Sequence, residues 1–91
     1  MKILATCGNG MGTSLLMEMR VKNIMDKHGI DYDISHVSLG EAKSIGQNFD
    51  VIFCPQAFAN ELSFNNVKVI PLQNVLSDDE IETKCKEYNI F

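Results

Sequence analysis

Two short segments of this chain contain unbroken apolar runs: Ile3-Leu4-Ala5 within Lys2 to Thr6, and Val51-Ile52-Phe53-Cys54 within Asp50 to Cys54. A strand built that way has no face to offer water, which places it inside a parallel sheet covered on both sides. Two other segments alternate. Across Asp31 to Val37, Tyr32, Ile34 and His36 fall on one face and Asp31, Asp33 and Ser35 on the other; across Val67 to Pro71, Lys68 points away from Val67 and Val69. Alternating strands suit the edges of a sheet. Numbered along the chain, strands 1 and 3 are therefore central and strands 2 and 4 are edges, in the order 2-1-3-4.

Helical segments fall between the strands. Ser14 to His28 reads as a helix stopped by Gly29, where a left-handed residue is expected. Ser38-Leu39-Gly40-Glu41 and Ser77-Asp78-Asp79-Glu80 both have capping-box spacing, in which serine and glutamate satisfy each other's free backbone donors. Around the second, Leu76 and Ile81 are spaced for a hydrophobic staple, and Ile81, Cys85 and Tyr88 form an i, i+4, i+7 core stripe. Ala57 to Leu62 reads as a short helix. The expected fold is α/β, a four-stranded parallel sheet of flavodoxin-like order with helices on both faces. In such sheets ligands bind outside the carboxyl ends of the strands where the order reverses, here between strands 1 and 3. Cys7 stands at the end of strand 1.

Composition narrows the function. With 91 residues the chain is expected to be one domain spanning 1–91. A balance of 45% hydrophobic to 22% charged residues excludes disorder as a whole-chain reading. Eight basic against 12 acidic side chains give a net charge of −4, the opposite of what phosphate-backbone binding needs, so no nucleic-acid partner is expected. No stretch approaches the ~18–20 apolar residues of a bilayer span. The run from Met1 to Cys7 is too short for a signal peptide, and a cytoplasmic location is expected. Three cysteines, at positions 7, 54 and 85, lack C-x-x-C spacing, which argues against a disulfide scaffold and against structural zinc. Neither metal nor organic cofactor is implied.

The chemistry concentrates in Cys7-Gly8-Asn9-Gly10-Met11-Gly12-Thr13-Ser14, where three of the six glycines lie directly between a strand and a helix. Glycines allow positive φ and close backbone approach, so successive N–H groups can turn inward as an anion nest. The helix start adds free donors and the positive end of its dipole, and Thr13 and Ser14 add hydroxyls. The same field favours the thiolate of Cys7 over the thiol. A ring of donors around a thiolate suits a transferring phosphoryl group, whose charge is spread over three equatorial oxygens. Cys7 is read as a nucleophile that becomes phosphocysteine, against the alternative of a structural cysteine ahead of a tight turn.

Other phosphate loops fit less well. A Walker loop needs Gly-Lys-Ser/Thr, but Thr13 follows Gly12; a dinucleotide loop needs a third glycine where Thr13 stands. A cysteine phosphatase, or an arsenate reductase built on one, uses C-x5-R, and the position six after Cys7 is again Thr13. Without the guanidinium clamp, and with no aspartate–proline general acid, the site is equipped to hold a phosphoryl group but not to deliver it to water. That pattern resembles the enzyme IIB components of the bacterial phosphoenolpyruvate-dependent sugar phosphotransferase system. The likeness runs over essentially the whole chain, and the octapeptide from Cys7 to Ser14 resembles the ascorbate-type branch more than the galactitol, mannitol or lactose/cellobiose types. The resemblance implies Cys7 as phospho-acceptor and Gly8 to Ser14 as its loop. It also implies a phosphohistidine on enzyme IIA as donor, and as acceptor a sugar held by the membrane component IIC, through which the chain would associate with the membrane. The alternatives are a cysteine-dependent phosphatase or arsenate reductase, which would turn over, and a regulatory module that binds the anion without a covalent adduct.

A carrier must dock two partners around one loop. On the long helix Met17, Val21, Ile24, Met25 and His28 share a face assigned to the core, while Leu15 and Met19 fall nearly opposite with Leu16 beside them. Met11, Leu15, Leu16 and Met19 are therefore the expected docking patch, its methionines adapting to different partners. Arg20, Lys22 and Lys27 are available to steer an acidic partner or simply to be solvated. Cys54, ending strand 3, is read as a core residue, with approach to Cys7 as the alternative; Cys85 is read as inert, and His28 and His36 are not read as bases. The loops at Pro55-Gln56 and Leu72-Gln73-Asn74 should border the site.

Overall fold

The computed structural model describes residues 1–8 and 11–91, Met11 by its backbone only. Strand β1 (Lys2–Cys7) takes the first apolar run and leads to helix α1 (Met11–Lys27). Strand β2 (Asp33–Ser38) is followed at once by α2 (Leu39–Ile45) and a 3-10 turn (Gly46–Asn48). Strand β3 (Val51–Pro55) runs into a 3-10 helix (Gln56–Glu61), then come β4 (Lys68–Leu72) and α3 (Asp78–Glu87).

The four strands form one parallel sheet in the order β2-β1-β3-β4, as the apolar patterns predict. Ile3, Leu4 and Ala5 of β1 and Ile52, Phe53 and Cys54 of β3 are all fully buried, because both faces of the central strands are covered. On one face α1 and α3 pack through Met17, Val21, Met25, Ile81 and Cys85 against Ile3, Ala5, Phe53 and Ile70. On the other, Leu4, Ile52 and Cys54 meet Val37, Ala42 and Leu62. Each large side chain removed from water in these layers contributes about 1.5–3 kcal/mol, which fixes the sheet as the rigid base of anything at its rim.

Several boundaries differ from the sequence reading. Helix α1 begins at Met11, so Thr13 and Ser14 lie inside it and the loop after Cys7 is shorter than expected. It ends before Gly29, whose φ of 68° supplies the anticipated left-handed stop. The segment read as a helix over 57–62 is a 3-10 helix. Ser38 and Ser77 both cap as expected, accepting from the N–H groups of Glu41 (3.3 Å) and Glu80 (3.2 Å). The reciprocal half of the second box is not made. The Glu80 carboxylate instead accepts the backbone N–H groups of Gln73 and Asn74, each at 2.7 Å, because the turn after β4 folds those donors onto it. Leu76 stays exposed, and it is Val75 that packs against the core alongside Ile81.

Candidate functional site

The site grows from the carboxyl end of β1. Cys7 is the last residue of that strand, paired with Ser38 of β2 and half-buried, while the other two thiols are fully buried. The chain leads from there into α1, whose first turn carries no acidic side chain to offset its positive dipole end. Gly8 is half-buried, Gly12 is exposed, Thr13 is half-buried and Ser14 is buried at 1% exposure. Asn9, Gly10 and the Met11 side chain, all named as loop residues, lie outside the described residues.

Strand alternation decides what Cys7 faces. Ile3 and Ala5 point into the α1–α3 layer and Leu4 into the α2 layer, so Cys7 points with Ala5 and Thr6 with Leu4. Thr6 is fully buried, and among the described residues its hydroxyl has no hydrogen-bond partner. Cys54 packs in the α2 layer with Leu4 and Ile52, across the sheet from the direction Cys7 takes. Burial pushes its thiol up to about 11, and Cys85, buried and close to Glu82, is pushed up to about 12. The core reading of Cys54 is the one the fold supports.

The outer face of α1 presents Leu15, Leu16 and Met19 at 43%, 48% and 53% exposure, and among the described residues no loop covers them. The basic residues of the helix divide. Arg20 lies 3.6 Å from Asp78 and Lys27 donates to Glu82 at 2.9 Å, both across to α3, whereas Lys22 is exposed. His28 departs from the core face assigned to it. It lies at the surface, stacked on Phe91 with ring centroids 3.8 Å apart and 3.1 Å from Glu82, because α1 ends there and the ring turns to the chain's last residues. The hydrogen bonds from Lys27 and His28 hold the Glu82 carboxyl down to about 2. His36 pairs through Nδ1 with Glu18 at 2.8 Å, tying α1 to β2 one helical turn beyond Ser14.

Two residues take roles that the sequence did not signal. Phe58, on the 3-10 helix after β3, sets its ring edge where a Cβ on Gly8 would have to stand. Glu80 immobilises the turn after β4 through the two backbone bonds above, and the Asn74 side chain accepts from Leu76 N at 3.0 Å. The amides predicted to border the site are thus partly engaged within their own loop.

Comparison with known proteins places this geometry. The family model described as "PTS system, Lactose/Cellobiose specific IIB subunit" matches residues 2–87. The chain is 34% identical over 87 residues to the ascorbate-specific PTS system EIIB component of Salmonella typhimurium, covering 94% of this chain and 86% of that protein. The component of the same name from Escherichia coli O157:H7 is 33% identical over the same coverage. Among solved structures, the lactose-specific IIB component domain from Streptococcus pneumoniae superposes with a TM-score of 0.65 over 99% of this chain and 95% of that one, at 14% identity.

Proposed function

The chain belongs to the IIB family of the sugar phosphotransferase system, as a phosphotransferase component, and from that membership we propose that Cys7 is its phosphoryl carrier. The thiolate attacks the phosphorus of a phosphohistidine on enzyme IIA; the S–P bond forms, the N–P bond breaks, and its electron pair returns to the imidazole. A sugar hydroxyl bound by the membrane component IIC then attacks the same phosphorus. The O–P bond forms, the hydroxyl proton leaves to solvent, and the thiolate departs ready for another cycle. Backbone donors from Gly8 to Ser14 and the hydroxyls of Thr13 and Ser14 hold the phosphoryl oxygens during both transfers. The two relatives named above point to ascorbate as the cargo. Residues 1–91 act as one IIB domain in the cytoplasm, reaching the membrane through IIC.

The observation that supports this reading best is the position of Cys7, half-exposed as the last residue of a central strand, in a chain that continues into α1, whose first turn carries no acidic side chain. Leu15, Leu16 and Met19 form the exposed apolar surface on which the partners seat. The test is intact-mass spectrometry after incubation with phosphoenolpyruvate, the general phosphotransferase proteins and a IIA donor. One phosphoryl adduct that maps to Cys7, and is absent from Cys7→Ser, is the expected result. No adduct from a donor shown to be phosphorylated and competent on another IIB would reject the assignment for that donor. Continuous release of phosphate would instead mark a phosphatase.

A further inference from the structure

The five phenylalanines of this chain do not all serve the core. Phe53 is fully buried in the α1–α3 layer and Phe91 packs against that layer, while Phe49 and Phe64 pack against the α2 layer. Phe58 belongs to neither cluster. Its ring is half-buried at the sheet's carboxyl rim, and the space it takes is the space beside Gly8. Carbons Cε2 and Cζ, the ring's leading edge, would collide with any Cβ placed there.

Backbone conformation does not require glycine at position 8. Among the described glycines, φ is positive at Gly29 and not at Gly8, so backbone conformation alone would admit alanine. Gly12, in the first turn of α1, has open space on its Cβ side. The close approach that the glycine makes possible is therefore that of an aromatic ring, at the residue bonded to the nucleophile.

We propose that Phe58 is a positioning residue for Cys7: its ring rests against Gly8 and fixes the path of the backbone leaving the thiol. The 3-10 helix suits that role, since its start is set by Pro55 at the end of β3 and its far end is anchored by Leu62, buried at 2% exposure. A short element pinned at both ends holds the ring in place beside the neighbouring strand. Misplacement of a reacting group by about 1 Å costs up to ~100-fold in rate, so a contact one residue from the sulfur has leverage on transfer.

The proposal deepens the carrier reading of Cys7 and is tested by a double-mutant cycle on Gly8→Ala and Phe58→Ala, with Phe58→Leu as the milder partner should the alanine variant unfold. Two rates are measured on each folded protein: phosphocysteine formation from a phosphorylated IIA donor, and alkylation of Cys7 by iodoacetamide as a function of pH. Gly8→Ala alone should slow phosphoryl acceptance about tenfold and displace the alkylation profile. In the Phe58→Ala background the same substitution should cost less than about twofold, because the ring it collides with is gone. An equal loss in both backgrounds, or no loss in either, overturns the proposal. If the wild-type chain takes no phosphoryl group, the carrier reading fails, and the alkylation cycle still decides the role of Phe58.

Discussion

Cys54 stands across the sheet from the face that Cys7 takes: it packs with Leu4 and Ile52, while Cys7 follows Ile3 and Ala5. The two thiols are close in the chain topology but separated by the backbone layer between them. Under mild oxidation no Cys7–Cys54 bridge should form within one chain. Native protein treated with a neutral thiol reagent near neutral pH should lose one thiol, mapped to Cys7, and denatured protein all three. Labelling of Cys54 or Cys85 at a comparable rate would contradict their burial.

Acid sensitivity should depend on Glu82. Its carboxyl titrates at about 2 in the folded chain against an ordinary 4.5, so its contribution is complete above 4.5 and disappears as pH falls toward 2. Thermal unfolding of Glu82→Gln should therefore lie slightly below wild type at neutral pH and converge with it at the acid end. The difference is small because the group is solvated. A gap that persists below pH ~2 would assign the effect to packing instead.

Thr6→Val should stabilise the protein by about 1 kcal/mol, read from denaturant midpoints at constant m. The hydroxyl is fully buried without a partner among the described residues, and valine keeps its shape. A destabilised valine variant would mean that the hydroxyl makes a bond in solution.

The exposed apolar face of α1 carries a different signature. Met19→Lys and Leu16→Asp should leave stability within about 0.5 kcal/mol of wild type, since neither side chain supports the core. Each should weaken productive encounter with the phosphoryl donor about tenfold, seen as a raised half-saturating donor concentration. Unchanged donor kinetics would remove this face from the docking surface.

Sheet order was legible because Val51-Ile52-Phe53-Cys54 and Ile3-Leu4-Ala5 leave no polar face, while Lys68 and the Asp31–Asp33–Ser35 row do. The outer face of α1 was legible for the same reason, as helical period exposes Leu15, Leu16 and Met19 together. Glu80 was not. Its spacing from Ser77 is that of a capping box, and only the path of the turn brings Gln73 and Asn74 within reach of its carboxylate. His28 fits the core stripe by period, yet the helix ends beneath it and Phe91 arrives from the far end of the chain. Phe58 had no period to betray it. A lone aromatic in a short polar segment acquires its meaning only when β3 is set beside β1.

The order in which the strands occur has a consequence for synthesis. β1 is made before both of its neighbours, yet it lies between them, so its two edges stay open until residues 33–38 and then 51–55 have emerged. A nascent chain that stops short of β3 carries the thiol but not the strand that encloses it, nor the ring that meets Gly8. Cys7 is thus translated ahead of both strands that flank its own, and it acquires its surroundings only once β3 and the 3-10 helix that carries Phe58 have followed.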